Sequence, residues 1–307
     1  MFQKTIAQGR FTLAVVAVFA AIVWVVHGLT KPSSESFDWL LPLGYMACAL
    51  AVYLMAELNN AFVMLRINSR MLSCVLGMFL TASSFLHTLH AGHAVLLCAV
   101  AAYFPLFSAY QRPNASSQTY TGYLFIGLAA LAFPPLLMLV PLCWISQIVL
   151  RSLSLRNWLA SLMGVLTPLW LFAGAAYCTD HTQWLLDRYD MLTHFPAPDY
   201  AAVTPVQWAL FAVVALLFLI GSINFLYTNY LEKTRTRYNY YVVILQGTAS
   251  CAWMALQPQY FNLIFPLCLI HGAIAGGHFV ALSYGRLQNL LTILFTLILI
   301  ALTFLAL

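Results

Sequence analysis

Charge is scarce in this chain: Lys, Arg, Asp and Glu make up only 7% of its 307 residues, whereas 63% are hydrophobic. Soluble domains carry roughly a quarter charged residues, so no stretch remains here for a soluble domain of useful size. Cysteine pattern is lacking as well. Of the seven cysteines, Cys48, Cys74, Cys98, Cys143, Cys251 and Cys268 fall inside apolar runs, and only Cys178 lies at the end of one. No CxxC or metal-type spacing occurs, so they read as small buried hydrophobes. A Gly-rich phosphate loop, a nucleophile elbow and an HExxH motif are also absent, which excludes the enzyme classes built on them. The opening MFQKTIAQGR has the charge layout of a signal peptide but no small-residue cleavage site follows, so the first apolar run reads as a retained helix.

Long apolar runs dominate what is present. A bilayer core needs about 20 apolar residues per helical crossing. Spans are expected at roughly 11–29, 39–65, 71–88, 91–110, 120–133, 134–150, 157–177, 207–229, 239–257, 260–281 and 287–306. The predicted fold is therefore all-α: a polytopic transmembrane bundle of about 11 helices, forming a single domain over residues 1–307 with its N-terminus in the cytoplasm.

The few charges set the orientation. Of thirteen Lys and Arg residues, Lys4, Arg10, Arg66, Arg70, Arg112, Arg151, Arg156, Lys233, Arg235, Arg237 and Arg286 fall in alternate turns, leaving Lys31 and Arg188 on the other side. Basic residues are retained in the cytoplasm, so the C-terminus is expected on the opposite side of the membrane. The same retention explains the formal charge of +5 without a nucleic-acid partner. One segment decides the count. Residues 120–150 are apolar with Pro134-Pro135 near the centre and with Arg112 and Arg151 at either end. A single crossing would expose one of those ends outside, and tandem proline breaks a helix. A short hairpin pair that enters and leaves on the cytoplasmic side is predicted.

Several polar groups sit where polar groups are expensive. Glu57 lies well inside the second span, followed by Asn59 and Asn60. Such a carboxylate is a functional-site candidate, the alternative being a hydrogen-bond knot between helices. His271 and His278 share a face of the tenth span among small residues, and a proton relay from His271 to Glu57 competes there with simple close packing. His87, His90 and His93, in HTLHAGH, are weak metal candidates because no local carboxylate would orient their rings, and the expected metal content is none. No cofactor is expected. Outward loops hold most of the acids: Glu35, Asp38, Asp180, Asp187, Asp190 and Asp199. Within CTDHTQWLLDRYDMLTHFPAPDY, the spacing of Trp184, Leu185, Tyr189, Leu192 and Phe195 predicts a short interfacial helix that either guides a lipid-linked substrate or seals the bundle.

The stretch GYLFIGLAALAFPPLLMLVPLCWISQIVLRSLSLRNWLASLMGVLTPLW, together with LNNAFVMLRINSRM, resembles polytopic Bacteroidota membrane proteins of unknown function. More distantly it resembles GT-C glycosyltransferases and O-antigen polymerases. That resemblance implies a polyprenyl-phosphate-linked sugar as partner and a catalytic carboxylate in the first outward loop, where Glu35 and Asp38 are the matching positions. The loop TKPSSESFD is shorter than the family's. The leading expectation is a membrane glycosyltransferase or polymerase acting on lipid-linked glycan at the outer leaflet, with Asp38, Glu35 or Asp187 as general base. A non-enzymatic subunit that organises a cell-envelope complex with other membrane proteins is the alternative. A transporter that uses Glu57, Asn60, His271 and His278 is the third reading.

Overall fold

The computed structural model describes residues 9, 11–30, 39–192 and 196–306. Twelve α-helices and no strand are found among them: α1 (Thr12–Thr30), α2 (Leu40–Phe62), α3 (Met71–Ala82), α4 (Ala91–Ser108), α5 (Ser116–Ala132), α6 (Val140–Val149), α7 (Leu155–Cys178), α8 (Thr182–Tyr189), α9 (Pro205–Thr228), α10 (Thr234–Leu256), α11 (Phe261–Leu282) and α12 (Arg286–Ala306). Each expected span is a helical segment. Seven of the helices, α1, α2, α4, α7, α9, α11 and α12, are long and apolar enough to cross a bilayer. This is a multi-pass membrane helical bundle. Several expected boundaries shift by a few residues, and two of the larger shifts have a visible cause. α3 stops at Ala82, with a 3-10 turn at Ser84–Leu86, because Thr81 and Ser83 turn their hydroxyls back onto the carbonyls of Gly77 and Phe79. Such back-bonding competes with the helix ladder. α10 begins five residues earlier than the apolar run, at TRTRYNYY, since a helix continues past its apolar band wherever its backbone bonds are retained.

The helices form two compact units, residues 1–93 with 200–307, and residues 94–199. In the first, α11 is the central helix, with 94% of its apolar window buried. It is apolar all round, as an enclosed helix is. Its glycines allow close approach: Gly272 faces Val214 of α9, Gly276 faces Leu217, and Gly277 meets the backbone of Leu72 in α3. The order of these pairs makes α11 parallel to α9 and antiparallel to α3. Gly247 against His271, and Tyr240 against His278, make it antiparallel to α10. All the described basic turns of this unit therefore converge at one end: Thr236 donates to the Val63 carbonyl and Tyr240 to the Met64 carbonyl, and Arg66 reaches Glu232.

The turn between α2 and α3 is held by Asn59, whose amide donates to the Ser69 carbonyl at 3.0 Å while its oxygen accepts from the Leu65 amide at 3.1 Å. Val63 in this turn has φ 49° and ψ 54°, a left-handed conformation that is costly for a β-branched residue. At the other end of α9, Thr204 and Gln207 form a reciprocal capping box with Pro205 in the first turn, a combination that satisfies two helix-start donors.

In the second unit, Gly127 packs on Val165 and Pro168, and Gly164 on Tyr120, Tyr123 and Leu124. Contacts that advance in step on both helices mean that α5 and α7 run parallel, so the chain reverses between them. The Gln111 amide donates to the Leu150 carbonyl, Ser154 to Pro113, and Asn157 to Arg112, which brings both ends of the 113–154 excursion to one level. The reversal at Pro134-Pro135 is thus present: Phe133 is extended (φ −144°, ψ 92°), residues Pro134–Leu139 form a 3-10 turn, and α6 returns.

Candidate functional site

A slot of about 280 Å³ lies between α1, α2 and α3 of the first unit. Its walls are apolar along most of their length, from Trp24 and Tyr45 through Val16 and Val52 to a polar end made by Glu57, Asn60 and Arg70. From Tyr45 to Asn60, α2 advances about 22 Å at 1.5 Å per residue, so the slot is long and narrow. The α2 register sets this layout: Tyr45, Cys48, Val52, Ala56 and Asn60 recur three or four residues apart, with Ala49 four after Tyr45, and share one side. Gly77 of α3 lets α1 approach at Val16. At the polar end, Asn60 Nδ2 lies 3.5 Å from Glu57 Oε1, and Arg70 stands at the start of α3, exposed. A cation, a carboxylate and an amide thus stand together at one end of an apolar slot.

The histidines divide into two groups. His278 is buried edge-on against the stacked rings of Phe225 and Tyr240, at 5.2 and 4.9 Å. Its Nε2 lies 3.6 Å from Glu232 Oε1, and Arg66 Nε lies 3.7 Å from the same oxygen. His271 is buried against Gly247 of α10, whereas Glu57 lines the slot. The expected relay from His271 to Glu57 is therefore not an arrangement that their surroundings supply.

At the opposite end of this unit, His87, His90 and His93 are bonded to the backbone. His87 Nε2 meets the Thr81 carbonyl at 3.1 Å, His93 Nε2 the Leu86 carbonyl at 3.0 Å, and His90 Nδ1 the Thr88 carbonyl at 3.1 Å. Carbonyls only accept, so each of these nitrogens carries the proton and the other nitrogen of each neutral ring is the acceptor. Among the described residues no group of three or more His, Cys, Asp or Glu side chains is placed to hold a metal ion. Trp24 and His27 of α1 join this cluster: the Trp24 ring is 4.0 Å from that of His87, its Nε1 donates to the His87 carbonyl, and the His27 ring is 4.7 Å from His87. Their position at the end of the first apolar run was the available signal.

Of the expected catalytic carboxylates, Glu35 and Asp38 lie outside the described residues. Asp187 is exposed on α8 and accepts from Gln183 at 3.0 Å. Its neighbour Arg188 has a structural task that sequence reading missed. Pro134 and Pro135 have no amide hydrogen, so the last turn of α5 loses its donors. Arg188 Nε donates to the Leu131 carbonyl at 3.1 Å and Nη2 to the Ala132 carbonyl at 2.6 Å. A guanidinium at a helix C-terminus also meets the negative end of its dipole. Burial raises the phenol pKa of Tyr189 beside it, and the Arg188 charge opposes that rise.

No family model matches this chain, and neither does any curated protein or solved structure.

Proposed function

We propose that this membrane protein binds a lipid-linked phosphate, of the polyprenyl-phosphate-sugar class, with its chain in the slot between α1, α2 and α3. One observation carries the reading: an apolar slot about the length of a leaflet ends at Arg70, Glu57 and Asn60. In this reading Arg70 faces the phosphate, and Glu57 and Asn60 take hydrogen bonds with sugar hydroxyls. A carboxylate beside the cation disfavours a head that is anionic only and favours one that also donates hydrogen bonds. The basic ends are taken to face the cytoplasm of a bacterial inner membrane, with the C-terminus periplasmic.

Glycan transfer at the outer leaflet, with Asp38, Glu35 or Asp187 as general base, would be a further step. A non-catalytic subunit that holds the carrier for other membrane proteins would use the same slot, and no observation favours transport through it. Binding is the test. The full chain in nanodiscs is titrated with a polyprenyl-phosphate sugar and, separately, with phosphatidylglycerol. Tighter binding of the first is expected. Arg70→Gln should weaken it about tenfold, as loss of a charge-assisted contact does. Ala17→Trp, which fills the slot, should abolish it. Unchanged affinity in both variants would contradict the reading.

A further inference from the structure

We propose that Glu232 and His278 form a proton-binding site in which Arg66 is the displaceable counter-ion. Glu232 and His278 belong to different elements, the turn before α10 and the body of α11, and both side chains are almost fully enclosed, at 4% and 1% exposure. Arg66 reaches the same carboxylate from the α2–α3 turn with its own side chain 35% exposed. Burying a carboxylate without a partner is costly, so one of the two neighbours must compensate it at any pH where it is ionised.

Neither neighbour has claimed it. The 3.6 Å to His278 Nε2 and 3.7 Å to Arg66 Nε both exceed a charge-assisted hydrogen bond. The oxygen stands between two donors at nearly equal distance. Both ring nitrogens of His278 lack a hydrogen-bond partner among the described residues. In an enclosed site the low dielectric strengthens the ion pair that a proton would create with Glu232, while desolvation opposes the added charge.

The ligand class is the proton. Phe225 and Tyr240 wall the imidazole, and the Tyr240 hydroxyl is engaged with the Met64 carbonyl at 3.3 Å. A metal ion would meet the Arg66 guanidinium beside the Glu232 carboxylate. The titratable and charged groups that face His278 are Glu232 and Arg66 from the two turns and Tyr240 from α10; α9 contributes Phe225, and α3 packs on the adjacent Gly277 through Leu72.

The step balances simply. The ring nitrogen that the neutral tautomer leaves bare takes a proton from hydronium and leaves water. The imidazolium pairs with the carboxylate, and Arg66 turns to solvent, where a partly exposed guanidinium is well hydrated. Loss of the proton returns Arg66 to Glu232. The site thus joins α11 to the α2–α3 turn through one carboxylate with two exclusive partners, and it does so independently of what the slot binds.

The test is a histidine titration of the full chain in nanodiscs, followed by NMR with 15N-labelled histidine and assigned through His278→Gln. One ring signal that changes on acidification of the folded chain and is missing in His278→Gln is the expected result. Arg66→Gln removes the competing cation and should raise the midpoint, Arg66→Lys should leave it nearly unmoved, and Glu232→Gln should lower it by about one unit or more. If Glu232→Gln does not fold, the two exposed-residue variants at Arg66 decide. A His278 signal that does not change at any pH at which the chain stays folded, or a midpoint unmoved by Arg66→Gln, overturns the proposal.

Discussion

Arg188 shows how much one side chain can settle in a membrane bundle. The proline pair that turns the chain also strands carbonyls at the end of α5, and an unpaired carbonyl away from water costs a few kcal/mol. Two donors from Arg188 remove that cost. Arg188→Gln is expected to lower unfolding stability by about 2 kcal/mol, the scale of charge-assisted hydrogen bonds, and Arg188→Lys to recover part of it. Thermal unfolding of the purified chain reads this, and a wild-type profile for Arg188→Gln would refute it. Asn59 is the counterpart in the first unit. Its amide makes one donated and one accepted bond to the turn that carries Arg66. Asn59→Leu should cost about 1–3 kcal/mol by stranding two buried backbone groups. Asn59→Asp keeps the acceptor for Leu65 and should lose less.

Close helix contacts depend on particular glycines. In α7, a Cβ at Gly164 would stand 2.5 Å from the Tyr120 carbonyl oxygen, whereas one at Gly174 would meet nothing within 4 Å. Gly164→Ala is expected to destabilise by about 1–3 kcal/mol through overpacking against α5, and Gly174→Ala to be neutral or slightly stabilising. Equal effects would mean that α5 and α7 are not in contact at Gly164. Much at this scale was readable in advance. Apolar length placed the spans, and tandem proline with basic residues at both ends required the reversal that the parallel α5 and α7 display. Ends of helices were less readable, because α10 runs on through Arg235 and Arg237, where Thr236 and Arg235 contact the α2–α3 side at Val63 and Phe62, and α3 stops where Thr81 and Ser83 bond back to the chain.

Across the whole molecule, alternating basic turns gave the topology more clearly than any motif gave the chemistry. Charge spacing reports on which turns share an end, and in the first unit Arg66, Arg70 and the 232–237 segment do converge. Such spacing is silent about which side chains meet inside the bundle. Glu232 sits in a polar turn beside Lys233, and its pairing with His278 depends on a register between α10 and α11 that no local pattern records. Glu57 was legible as an exception, but the slot around it comes from three helices at once. The topology itself is open to a direct check. In a cysteine-free background, Asn114→Cys and Leu153→Cys should react with a membrane-impermeant thiol reagent from the same side, and Gln183→Cys from the other. Labelling of Asn114 and Leu153 from opposite sides would remove the reversal.

The central claim is that the slot between α1, α2 and α3 holds the chain of a phosphate-bearing lipid, and photolabelling tests it most directly. A polyprenyl phosphate with a photoreactive group in its chain is irradiated with the nanodisc-embedded protein, and the labelled peptides are mapped by mass spectrometry. Label concentrated in residues 13–24, 45–60 and 70–81, and strongly reduced in Arg70→Gln, is the expected result. Label spread over all lipid-facing helices, to the same extent in wild type and Arg70→Gln, would contradict the account.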